Sequence, residues 1–146
     1  MASFSRRAVL DWIGDVPRGT GRVTAASEAF SVVATFPRLT GEAAGATTPE
    51  ELLAASHATC FGIGLRSVLA QRGAAARRLL VTATITADKG GGAIRIVAAH
   101  LEGVVEELTG IDPAELDEVG RAAEAACTIS AVLRATVPVS VSVRAG

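Results

Sequence analysis

The stretch from Thr48 to Gly73, TPEELLAASHATCFGIGLRSVLAQRG, constrains this chain more than any other. Thr48 suits a helix N-cap and Pro49 the first helical position, while Glu51, at the third position after the cap, completes a capping box. Glu50 and Glu51 also put negative charge where the helix dipole favours it. The pattern predicts a helix running to about Gln71, with Gly73 as its stop. From Leu52 to Leu69 its residues are apolar or small nearly all round, so it is expected at the centre of the fold, buried on more than one side. Other elements must then cover it.

Those elements read mostly as strands. RAVLDWIG, GRVTAAS and AFSVVATF are separated by turn-rich or polar breaks. PRLTGEAAGATTP follows as a long loop with glycines and prolines, of the kind that carries function. Beyond the helix, LLVTATITAD alternates and is β-branched, KGGG turns, and AIRIVAAHLEGVV returns as the second arm of a hairpin. Asp112 and Glu115 repeat the cap logic for a second helix. It carries Leu116, Val119, Ala123 and Ala126 at helical spacing and is expected to end near Cys127. TVPVSVSVRAG is a final alternating strand. The expected order is β-β-β-α-β-β-α-β, an α+β fold, and residues 1–146 read as a single domain. No repeat, linker or low-complexity tract interrupts it.

Charge and composition remove several function classes. A net charge of −1 argues for neither nucleic acid nor an anionic membrane as partner. With 3% aromatic residues and no tyrosine, the chain offers no base-stacking platform. The two arginines near the start precede only a short apolar patch ended by Asp11, which does not read as a secretory signal. No run of about 18 apolar residues is present, so no membrane span is expected. The expected compartment is the cytoplasm, where cysteines are reduced, catalytic or redox-sensing rather than permanent staples. Two cysteines and two histidines without close pairing do not make a tetrahedral zinc set.

The cysteines are Cys60, mid-helix, and Cys127. They read as two small core residues, a structural disulfide, or a redox pair. A cysteine attacks as its thiolate, and a thiol of pKa near 8.5 is only about 3% ionised at pH 7. A nearby cation would raise that fraction. Arg18 in PRGTG and Arg38 in FPRLTG are the loop candidates, although a lone arginine more often serves surface solvation. Glu50 or Glu51 could hold such an arginine; their plainer roles are first-turn charge and helix capping. Glu50 precedes Cys60 by ten residues on the expected helix. At a rise of 1.5 Å per residue they lie about 15 Å apart. If Glu50 serves a Cys60 site, it comes from a second copy of the chain, and the site is shared in a dimer.

With these residues in view, the sequence resembles the OsmC/Ohr family of thiol-dependent organic peroxidases over essentially its whole length. The resemblance is carried by WIGDVPRGTG, RLTGE, TTPEELLAASHATCF, DKGGGAIRI and ACTISAVL. The opening block and the DKG hairpin are more similar to the OsmC branch than to the Ohr branch. The resemblance implies an intertwined homodimer, with antiparallel sheets wrapped around central helices and sites at the subunit interface. It implies that Cys60 is the peroxidatic cysteine and Cys127 the resolving one. Glu50 and an arginine from the partner would complete the site: Arg38 by the OsmC pattern, Arg18 by the Ohr pattern, with Arg38 ranked first. Two positions depart from the family pattern. Thr128 follows Cys127 where proline is usual, which bears on the turn that holds Cys127 and on disulfide closure. Ile13 replaces a common acid, a minor change.

The implied activity is reduction of organic hydroperoxides, and more weakly of hydrogen peroxide, in stress defence. It would pass through a Cys60 sulfenic acid and a Cys60–Cys127 disulfide reset by an external dithiol. No metal, haem, flavin or other cofactor is implied. Two readings from other classes stand beside it: a non-enzymatic redox sensor, and a carrier of apolar ligands with bystander cysteines.

Overall fold

The computed structural model describes residues 1–36 and 45–146 of the chain. The loop holding Arg38 therefore lies outside the described residues. The chain forms two compact units, Met1–Leu52 and Leu53–Gly146.

The first unit is a three-stranded antiparallel meander of β1 (Ala8–Ile13), β2 (Thr20–Ala25) and β3 (Ser31–Ala34). Trp12 faces Gly21 across the first pair, and a Cβ on Gly21 would meet the indole at 2.8 Å. Gly14, at φ 94°, opens the turn between β1 and β2, and the Trp12 indole N–H donates to its carbonyl over 3.0 Å. The chain rejoins the sheet at Thr47, which forms a parallel bridge with Ala34 just before the long helix α1 (Pro49–Gln71).

Helix α1 has the expected bounds, and Gly73 at φ 73° provides its left-handed stop. The capping box is only half formed. Thr48 Oγ1 accepts the Glu51 N–H over 3.3 Å, but Glu51 Oε1 accepts instead from the Thr47 hydroxyl at 2.8 Å. The expectation of burial on more than one side is corrected as well. Within the chain α1 buries one stripe, His57, Phe61, Leu65 and Leu69, one residue every four, while Ile63 remains 69% exposed. By length and composition α1 would also suffice to cross a membrane, but here its stripe joins a protein core.

The second unit is built on β4 (Arg78–Gly90) and β5 (Ala93–Glu106), joined by the turn at Gly91 and Gly92, both with positive φ. An irregularity follows Thr86, where Val97 is left without an opposite residue. The last strand, β6 (Val139–Ala145), pairs with β5 in parallel, a correction to the expected all-antiparallel sheets. The reason lies in the connection: two helices intervene between β5 and β6, and a helical crossover returns the chain in the direction it left. These are α2 (Leu116–Ala126), entered through a short 3-10 turn capped by Asp112, and α3 (Thr128–Arg134), an element the sequence did not announce.

One sheet face carries the core, with Leu101, Val105 and Val143 packed against Phe61, Leu65 and Leu69 of α1 and Leu116, Val119 and Ala123 of α2. Glycines permit the approach. A Cβ on Gly120 of α2 would lie 2.6 Å from a Val143 methyl, and one on Gly103 of β5 would lie 3.3 Å from Leu65. The opposite face presents Thr82, Thr84, His100, Glu102, Ser140 and Ser142 to solvent, the period-two alternation of a half-buried sheet.

Candidate active site

Cys127 occupies a corner. It closes α2, its N–H bonding the Glu124 carbonyl at 3.1 Å, and it opens α3, its Sγ accepting the Ser130 N–H at 3.5 Å. Its extended backbone (φ −76°, ψ 119°) breaks the helical path, so one residue serves as C-cap and N-cap in turn. Arg134, from the last turn of α3, reaches back to the Glu124 carboxylate and donates to its carbonyl at 3.1 Å, which braces the corner.

A second clasp joins this corner to α1. His57 is fully buried, and its Nε2 lies 2.7 Å from the Ser130 hydroxyl. Burial holds the imidazole below its ordinary pKa, only partly opposed by the charge of Glu124, so the ring is neutral at pH 7. Its Nδ1 is buried without a hydrogen-bond partner among the described residues. His57 precedes Cys60 by one helical turn, and Ser130 follows Cys127 by three residues. The clasp therefore fixes the two cysteine-bearing segments against each other.

Cys60 lies beside this corner, half-buried, with Cys127 as its electrostatic neighbour and the Thr128 hydroxyl 3.5 Å from its Sγ. Both cysteines are free thiols. Their environments push them apart. Burial drives the Cys60 thiol up, but the Ile129 N–H, the Cys127 thiol, and the Thr128 hydroxyl and N–H together outweigh it, and the balance lies below an ordinary thiol. Burial also raises Cys127; the Ser130 N–H pulls the other way, but Cys60 as neighbour adds to the rise, and the balance lies above an ordinary thiol. A pair of groups separated in this way has one member suited to attack and one held in reserve as a thiol.

A model of the OsmC-like protein family matches residues 41–142. Over 135 residues the chain is 30% identical to Peroxiredoxin OsmC of Escherichia coli strain K12, covering 92% of this chain and 94% of that one. The chain belongs to the OsmC-like family. Solved structures agree on the fold. An organic hydroperoxide resistance protein from Elizabethkingia anophelis superposes with a TM-score of 0.78 at 20% identity, covering 99% of both chains. An organic hydroperoxide resistance protein OsmC from Legionella pneumophila gives 0.76 at 23% identity, again covering 99% of both.

Of the residues singled out in this OsmC-like sequence, the fold brings Cys60 and Cys127 together. Glu50 sits in the first turn of α1, its Oε2 buried without a hydrogen-bond partner among the described residues. Arg18 lies on the β1–β2 turn with its side chain 85% exposed, held by Asp15 through an ion pair of 2.7 Å. Arg38 lies outside the described residues. His57 and Ser130 acquire parts that sequence reading did not assign, and Thr128, read there only for the turn at Cys127, lies against Cys60. His57 stands three residues before Cys60 and Ser130 three residues after Cys127, and that spacing was the available signal. Among the described residues no group of three or more histidine, cysteine or acidic side chains could hold a metal.

Proposed function

We propose that this protein is a two-cysteine peroxidase that reduces organic hydroperoxides, with Cys60 as the attacking sulfur and Cys127 as the resolving one. The observation that carries the reading is the juxtaposition of two free thiols whose surroundings favour ionisation of one and oppose it in the other. Relatives named for peroxide chemistry support it.

The chemistry balances in three steps. The Cys60 thiolate attacks the terminal peroxide oxygen; an S–O bond forms as O–O breaks, and the departing alkoxide takes a proton to leave as alcohol. The Cys127 thiol then attacks the Cys60 sulfenic acid; S–S forms, S–O breaks, and water leaves. An external dithiol supplies two electrons and two protons, restores both thiols, and ends as its own disulfide. Alkyl groups should improve the substrate because Cys60 packs against the hydrophobic core cluster, and each buried CH₂ contributes about 0.8 kcal/mol.

The active form in this reading is a homodimer in a reducing compartment such as the cytoplasm. Glu50 Oε2, without a partner among the described residues, suits an arginine, Arg38 before Arg18, and the pair serves Cys60 of the partner. The exposure of Ile63 on α1 and of Ile13 on β1 (76%) supports an assembly that covers them. Steady-state turnover of tert-butyl hydroperoxide with dithiothreitol tests the reading. Cys60→Ser abolishes turnover, whereas Cys127→Ser consumes one equivalent of peroxide and then stalls or overoxidises. Equal loss of the first equivalent in both variants contradicts the division of roles.

A further inference from the structure

The first side chain of α3 is placed for more than helix formation. Thr128 Oγ1 lies 3.5 Å from Cys60 Sγ, although 68 residues separate them in the chain. The Thr128 N–H also favours the charged form of that sulfur, a second donor from the same residue. The adjacent Ile129 N–H adds a third. Thr128 is exposed, and its hydroxyl makes no other hydrogen bond among the described residues, so it is free to rotate toward Sγ. A hydroxyl can donate to a thiolate and, once that charge is gone, turn to accept or meet water.

We propose that Thr128 is a catalytic residue of this chain: its hydroxyl and backbone N–H donate to the Cys60 thiolate, so the residue following the resolving cysteine activates the attacking one. The inference rests on the proposed role of Cys60, but the state it describes precedes any reaction with peroxide. The thiol proton goes to solvent and the negative charge left on Sγ is met by the two Thr128 donors. Among the described residues the titratable group that bears on this sulfur is Cys127, held as a thiol, which supplies no competing cation.

The test measures the pKa of Cys60 from the pH dependence of its alkylation by iodoacetamide in the intact chain, with the modified residue located by mass spectrometry. Thr128→Val keeps the shape and removes the hydroxyl; it raises the Cys60 pKa by about one unit, the scale of a hydrogen bond to a charged group. Thr128→Ser restores the original value. Thr128→Pro removes the hydroxyl and the N–H together and raises the pKa beyond the valine variant. An unchanged pKa in Thr128→Val, or a serine variant that tracks valine, overturns the proposal. Parallel peroxide assays separate it from the functional reading. Wild-type turnover with a pKa indifferent to Thr128 sinks this inference alone. A pKa that responds as stated in a chain without turnover upholds the thiolate contact and removes the peroxidase.

Discussion

Removing the Ser130 hydroxyl isolates the clasp between α1 and the Cys127 corner. In Ser130→Ala, His57 Nε2 loses its 2.7 Å partner inside a fully buried site where Nδ1 already has none. A buried polar group left unsatisfied costs about 1–3 kcal/mol. For a chain of this length that corresponds to a fall in Tm of roughly 3–10 °C. Urea unfolding is the assay: the midpoint falls while the slope, which reports surface exposed on unfolding, stays constant. Ser130→Ala combined with His57→Leu removes both polar partners, and stability returns toward wild type because nothing is left unsatisfied. The clasp also gives stability a dependence on pH. Burial holds the folded-state pKa of His57 below its unfolded value of about 6.5, so below that pH the unfolded chain takes up a proton that the folded chain resists. This contribution is complete above about pH 6.5 and is lost as pH falls toward the folded-state pKa. His57→Leu flattens that part of the profile. An unchanged urea midpoint in Ser130→Ala, or an acid slope that survives His57→Leu, refutes the clasp.

Three further outcomes are expected. Gly120→Ala drives a Cβ to 2.6 Å from a Val143 methyl, and the overpacking exceeds the helix-propensity benefit by about 1–2 kcal/mol, read as a lowered urea midpoint. Mixing Cys60→Ser chains with Glu50→Gln chains, each inactive alone, restores part of the peroxide turnover after subunit exchange; no recovery despite demonstrated exchange counts against a shared site. Arg38→Ala raises the Cys60 pKa measured by alkylation while Arg18→Ala, whose side chain already pairs with Asp15, leaves it unchanged; the reverse result makes Arg18 the activating cation.

Much of this fold was legible because its signals are local. Thr48, Pro49 and Gly73 mark the ends of α1 through backbone preferences that act within a few residues, and the glycine turn between β4 and β5 does the same for the hairpin. The direction of β6 was not local. It depends on how a crossover of some thirty residues returns the chain, and alternation in VSVSV is the same for a parallel and an antiparallel partner. Helix α3 escaped notice because its cap is a sulfur, a weak acceptor, and its seven residues begin with two β-branched ones. The two cysteines stood out by chemistry alone, but the residues that distinguish their roles lie far away in sequence: His57 from Ser130 by 73 positions, Cys60 from Thr128 by 68. Such pairs become visible only when the packing of α1 against the Cys127 corner is known.

The corner at Cys127 has an electrochemical consequence. The donors gathered around Cys60, from Ile129, Thr128 and Cys127, favour a charged sulfur, and a disulfide sulfur carries no charge for them to meet. The Ser130 N–H likewise caps a Cys127 sulfur that becomes a poorer acceptor once bonded to another sulfur. Interactions present in one redox form alone shift the midpoint potential toward that form, by about 30 mV for each 1.4 kcal/mol in a two-electron couple. A disulfide closed between these residues forfeits all of them and is oxidising for that reason. In the proposed cycle, the same interactions that would prepare Cys60 for attack would also favour reopening of that disulfide by an external dithiol.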